Sequence, residues 1–324
     1  MTKLLLLISN QAEDVSFVAE VSQAIGATIE VVPDPIAAVA VIAAKNPMAI
    51  FIDVNDTKLL NAFEAEVLKK YGLFSDQIQA QRFHFISSKP LPENREVIKS
   101  PFFASYFERS TERVEENAKF YARFLSAGDQ MQSHELKNFL SERGNIQTVT
   151  LVRSDQKQEA AEAVRQYIIQ AKIPSRIANI VANAVDELLM NAIFDAPLDE
   201  YGKSLYFSTS RDQVRELVSQ EKVKMTIGFD GFYVGITVSD FFGSIDRVRL
   251  LNHVSINYRN RDYEVRRNQA GAGLGLAAVY NSGGSLICHC EANQKTDVTL
   301  LYRASDNFVE FKNQFRFFSA KFYA

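Results

Sequence analysis

The chain has 324 residues, 47% of them hydrophobic, and a formal net charge of −3, which is enough for two cores and gives no general pull toward nucleic acid. Its longest apolar runs, Leu4 to Ile8 and Ile36 to Ala44, are too short to span a bilayer, and no small-residue cleavage site follows the first. No membrane association and a cytoplasmic location are therefore expected.

In chain order, Leu4 to Ile8 reads as a strand, Val15 to Ile25 as a helix, Ile29 to Val32 as a strand and Ala37 to Ala44 as a helix. Met48 to Asp53 is an apolar strand ending in aspartate. Alternating strands and helices imply a parallel sheet, with chemistry gathered at the carboxyl ends of its strands. This pattern resembles a response-regulator receiver domain over residues 1–125, with Asp53 at the phosphoacceptor position. That chemistry also needs acidic residues at the end of the first strand to hold Mg²⁺. Ser9 and Asn10 stand there instead, while Glu13 and Asp14 are expected too late, in the following loop. Lys99 and Lys89 are the candidates for the lysine of such a site. A degenerate, receiver-like domain that takes up no phosphate is the expectation.

Ser110 to Gly128 reads as a charged amphipathic helix leading out of this domain, and residues 126–145 as a linker helix, with homodimerisation through that segment left open. Ser133-His134-Glu135-Leu136 is similar to the start of a histidine-kinase phosphoacceptor motif. The interval from His134 to the next motif is too short for a helical hairpin and its following strands, so His134 reads as a surface residue. Ile146 to Val152 is an alternating strand and Gln158 to Lys172 an amphipathic helix.

After Pro174 comes a helix whose apolar stripe is Val185, Leu188, Leu189, Ala192 and Ile193. Glu187 and Asn191 lie four apart and project from one face. A carboxylate can polarise a hydroxyl, and an amide oxygen suits Mg²⁺. The same spacing also makes Asn183, Glu187, Asn191 and Asp195 an ordinary solvated stripe. Gly235 to Ser239 is a strand that runs into Asp240-Phe241-Phe242-Gly243-Ser244, and a strand-end aspartate can accept a hydrogen bond from an exocyclic amine. Further on, Gly271-Ala272-Gly273-Leu274-Gly275-Leu276 has the alternate glycines that let backbone close on phosphate. No strand precedes it and no Walker lysine pattern occurs, so neither a Rossmann fingerprint nor an ordinary P-loop fits. Ser285 to Cys288 and Val298 to Tyr302 read as closing strands. Cys288 and Cys290 share a strand face and, without further ligands, read as buried thiols. Phe308, Phe311, Phe315, Phe318 and Phe322 recur at spacings of three and four, which predicts an aromatic C-terminal helix over 306–324.

In this order the helix with Glu187 and Asn191, the strand ending at Asp240 and the glycine loop resemble the N, G1 and G2 boxes of the GHKL ATPase superfamily, over residues 146–305. The layout upstream of the N box is similar to the anti-sigma-factor serine/threonine kinases. That resemblance implies an α/β sandwich, a mixed sheet with helices on one face, and ATP with Mg²⁺ as cofactors. It implies Glu187 as the catalytic base, Asn191 as the Mg²⁺ ligand and Asp240 as the adenine reader. Gly243, Gly271, Gly273, Leu274, Gly275 and Thr299 would contact the nucleotide, and residues 253–267 would form a lid carrying Arg259, Arg261, Arg266 and Arg267. The G1 box departs from the family pattern, with Phe242 and Ser244 at its glycine positions. The expected activity is phosphate transfer to a serine or threonine of a protein partner. An ATP-gated switch that sequesters its partner without transfer is the alternative, and a histidine kinase using His134 is disfavoured by spacing.

Overall fold

The computed structural model describes residues 3–72, 79–128, 135–141, 144–206, 208–211, 213–255 and 274–323. The chain divides into two compact units, Met1–Gln132 and Ser133–Ala324.

The first unit is a parallel sheet of β1 (Leu4–Ile8), β2 (Thr28–Val31), β3 (Ala49–Asp53), β4 (Phe83–Ser87) and β5 (Ser105–Glu108) in the order 2-1-3-4-5. This is a doubly wound order, and its central strands are nearly continuous apolar runs because helices cover both faces. The helices are α1 (Ala12–Ile25), α2 (Pro35–Lys45), α3 (Thr57–Tyr71) and α4 (Val114–Gly128), with α1 packed on α4 and α2 on α3. Their starts are encoded locally: the Asp34 side chain accepts from Ile36 N ahead of Pro35, and Asp56 accepts from Lys58 N. Between β4 and β5 the chain makes short 3₁₀ turns, Leu91–Glu93 and Arg95–Lys99. The amphipathic helix expected to lead out of the domain is α4, the last element of this unit, and one of its faces is buried in the core. Tyr121 of α4 is fully buried against Phe17, Phe51 and Phe107, and its hydroxyl lies 2.8 Å from His84 Nδ1.

The second unit is a mixed sheet of β6 (Asn145–Leu151), β7 (Val223–Phe229), β8 (Tyr233–Asp240), β9 (Ser285–Glu291), β10 (Lys295–Arg303) and β11 (Phe317–Tyr323) in the order 11-9-10-8-7-6. Only the β11–β9 pair among these is parallel. α6 (Ser175–Met190) and α8 (Leu274–Asn281) pack against it, with α5 (Gln156–Gln170) and the short α9 (Phe308–Lys312) on α6 and α7 (Arg247–Val254) on α8. The helical stretch Ser175–Asp195 is long and apolar enough to cross a membrane by length and composition, and 67% of its most apolar window is buried, as in a core helix.

Two expectations about connecting segments are corrected. The described part of 126–145 holds the end of α4 and a single 3₁₀ turn, Leu136–Asn138, rather than a linker helix. The C-terminal aromatic helix is a one-turn helix followed by a strand. Phe311 is buried on α9, while Phe317, Phe318 and Ala320 are buried in β11. Two short elements joined end to end reproduce the three-and-four spacing that a single helix would give. Phe and Tyr equally favour a buried strand.

Candidate functional site

The apolar stripe of α6 fixes its orientation: Val185, Leu188, Leu189, Ala192 and Ile193 are buried. Glu187 and Asn191, one turn apart, are half-buried on another side. At Asn191 the helix widens into a π turn, Asn191–Asp195, closed by Ala196 N donating to Asn191 O at 2.8 Å. Single π turns are rare and recur at functional sites. The carbonyls of this turn are taken up by the loop that follows: Arg215 Nη2 donates to Ile193 O at 2.6 Å and Ser204 Oγ to Phe194 O at 2.7 Å.

Strand β8 supplies the facing wall. It pairs with β10 so that Val238 lies opposite Val298 and Asp240 opposite Thr296. Alternation sends these residues to one face and Gly235, Thr237 and Thr299 to the other. Ser244 Oγ donates to Ala196 O at 2.7 Å, tying the end of the strand to the end of the helix. Between them is a cavity of about 200 Å³. Leu188, Val238 and Val298 are among its apolar lining, and Asn191, Asp195, Asp240 and Arg249 give it polar atoms.

Burial acts on the carboxyls of this region. Burial pushes the Asp240 carboxyl up to about 6, although Phe242 N and Gly243 N donate to Oδ1 at 3.0 and 3.4 Å. Burial, reinforced by the negative charge of Asp186, raises Glu187, and burial raises Asp195. Asn191 Nδ2 is buried with no hydrogen-bond partner among the described residues.

The first turn of α8 comes up against α6. A Cβ built on Gly275 would lie 2.3 Å from Glu187 Oε2, so a larger residue here would displace the Glu187 carboxylate. Leu274 opens α8 beside it. Gly271, Gly273, His134 and the lid arginines lie outside the described residues. Of the expected site residues, Asn191 and Asp240 line the cavity, whereas Glu187, Gly243, Gly275 and Thr299 are not among its lining residues. Gly243 has φ 59° and packs on the β9–β10 turn, where a Cβ would fall 1.9 Å from Glu291 O. Thr299 is on the far face of the sheet, its hydroxyl 2.8 Å from that of Thr237. The threonine on the cavity face is Thr296, a buried residue three positions earlier, which strand alternation from Val298 identifies once the facing side is known. Asp195, Ser244 and Arg249 are the other contributors that motif reading passes over. Asp195 was legible as the residue four after Asn191.

In the first unit, Asp53 ends β3 and is buried. Its Oδ1 accepts from Asn55 N at 3.0 Å and Asn55 Nδ2 at 2.7 Å, and its Oδ2 lies 3.0 Å from Arg109 Nη2. The same guanidinium grips Asp14 with two bonds, Nε to Oδ1 at 2.7 Å and Nη2 to Oδ2 at 3.0 Å, and Ser9 Oγ adds a third at 2.6 Å. Asp14 is therefore not too late for this site. Helix α1 starts at Ala12, earlier than its apolar spacing suggests, and its first turn brings Asp14, 1% exposed, over the strand ends. Neither expected lysine supplies the cation facing Asp53. Lys99 is exposed and pairs with Glu96, and Lys89 receives the Tyr106 hydroxyl on its carbonyl, while Arg109 stands against the aspartate. Cys288 and Cys290 are buried free cysteines.

No family model matches the chain. No curated protein matches it either. Among solved structures, a de novo designed Rossmann 2x3 fold protein aligns with 42% of this chain and 98% of its own, at 19% identity and a TM-score of 0.29. A chain of the SiaB–SiaC complex from Pseudomonas aeruginosa aligns with 57% of this chain and 98% of its own, at 14% identity and a TM-score of 0.30.

Proposed function

We propose that the second unit binds ATP with Mg²⁺ in the cavity between α6 and β8 and transfers the terminal phosphoryl group to a serine or threonine of a partner protein. One juxtaposition supports the reading: Asp240 and Asn191 give polar atoms to the same cavity, and Glu187 stands one helical turn from Asn191, against Gly275. Asp240 would accept the exocyclic amine of adenine while the apolar walls hold the ring. The residues present suit Mg²⁺, which takes one or two protein oxygens and completes its shell with phosphates and water. Asn191 would hold it through the amide oxygen, and its buried Nδ2, without a partner among the described residues, would be left to donate to a phosphate oxygen. When bound, the ion neutralises charge on the phosphates. Glu187, raised by burial, would accept the proton of the acceptor hydroxyl as that oxygen bonds to the γ-phosphorus and the bond to the β-phosphate oxygen breaks, leaving ADP.

The test is transfer from labelled ATP to partners recovered by pull-down. Glu187→Ala should keep Mg²⁺-ATP binding and lose the label, whereas Asn191→Ala should weaken both. ATP-dependent partner capture with no label in the parent or in Glu187→Ala would replace the kinase by the switch.

A further inference from the structure

The cavity has a charge problem as a polyphosphate site. Its lining holds three carboxylates, Asp195, Asp240 and Asp246, against one guanidinium, Arg249. A nucleotide phosphate chain entering it meets net repulsion, and repulsion at these distances is worth several-fold to many-fold in affinity. The loop between α6 and β7 brings a second cation to this wall. Arg211 Nη2 lies 3.6 Å from Asp195 Oδ1, with the Arg211 side chain 40% exposed and that of Asp195 20% exposed. Its charge also acts on Glu187. Arg211 is carried between two anchors of the loop, Ser204 and Arg215, which hold the carbonyls of Phe194 and Ile193 inside the π turn itself. Arg215 is in turn fixed by Glu221 at 2.7 Å and by stacking on Tyr206 at 3.7 Å. Ser204 and Arg215 thus fasten to the same turn that presents Asn191 and Asp195, and Arg211, between them in sequence, lies beside Asp195.

We infer that Arg211 is the phosphate-reading side chain of this cavity and that Asp195 is its latch, pairing with the guanidinium until a nucleotide phosphate competes for it. The inference rests on the nucleotide reading of the cavity and adds to it a specificity for polyphosphate over the bare nucleoside. A guanidinium suits this exchange because its planar fork matches phosphate oxygens as well as it matches a carboxylate.

Calorimetric titration of the full chain with ATP and with adenosine, at fixed Mg²⁺, separates the two layers. Arg211→Ala should lower ATP affinity about tenfold and leave adenosine unchanged. Asp195→Asn should act in the opposite direction, raising ATP affinity relative to that for adenosine several-fold, because it removes a like charge and frees the cation. Opposite signs in the ratio of ATP to adenosine affinity are not what loss of structure produces. They also make the second variant decisive should Arg211→Ala fail to fold. Unchanged ATP affinity in Arg211→Ala, equal losses for ATP and adenosine, or an Asp195→Asn variant that binds ATP more weakly relative to adenosine would overturn the inference while leaving the cavity a nucleotide site. A parent chain that binds neither ligand would remove the nucleotide reading itself.

Discussion

The two units each place a buried aspartate at the end of a strand, and the contrast between Asp53 and Asp240 separates a closed site from an open one. At Asp53 the charge is answered from within: Arg109 reaches both Asp53 and Asp14, and Asn55 fills the remaining oxygen. At Asp240 it meets neutral donors, Phe242 N and Gly243 N, and burial still pushes the carboxyl up to about 6, beside a cavity where the Asn191 amide nitrogen has no partner among the described residues. Buried polar groups are ordinarily satisfied, so a carboxyl raised by burial and a partnerless amide nitrogen at a cavity suit an outside ligand, whereas an aspartate held by an internal guanidinium suits a structural role.

Removing the internal cation should break the comparison most forcefully. Arg109→Ala leaves two buried carboxylates without their partner and should cost about 3–5 kcal/mol, read as a fall in urea midpoint. The opposite is expected in the second unit, where Asp240→Asn removes a buried charge whose ionisation costs up to about 3 kcal/mol at neutral pH, so thermal unfolding should not be lowered. The pH dependence follows from the direction of the Asp240 shift. Its folded state holds the proton more tightly than the unfolded chain, so this group favours the fold below about pH 4 and the contribution is lost as pH rises to about 6. Ligand binding runs the other way: an amine donor needs the carboxylate, so adenosine affinity should rise about tenfold from pH 5 to 7 and stay flat in Asp240→Asn. The smallest expected effect is none at all. Acetyl phosphate with Mg²⁺ should leave no label on Asp53, because Arg109 stands where an incoming phosphoryl group and its metal would sit. Label that disappears in Asp53→Asn would show that the closed site opens.

Much of this contrast was legible in the sequence where local pattern carried it. The Leu4–Ile8 and Ala49–Asp53 runs announce central parallel strands, and the stripe of α6 fixes which side of that helix Glu187 and Asn191 occupy. What was not legible depends on partners far apart in the chain. Arg109 meets Asp14 only because the strand order brings the end of β5 to the start of α1, and no local signal marks an arginine at that place. Thr299 and Thr296 cannot be told apart until the register with β8 says which face holds Asp240. The phenylalanine spacing after Phe308 misled for a different reason: a one-turn helix and a strand share it with a single longer helix. The anchoring of the loop by Arg215 and Ser204 depends on carbonyls that only a π turn offers.

The central claim is that Asp240 reads an adenine in an open cavity, and calorimetric titration of adenosine into the parent chain and into Asp240→Asn at pH 7 tests it most directly. Loss of a charge-assisted hydrogen bond of about 1.5–3 kcal/mol predicts affinity lower by roughly ten- to a hundredfold in the variant, with folding retained. Equal affinity in the two proteins would contradict the account.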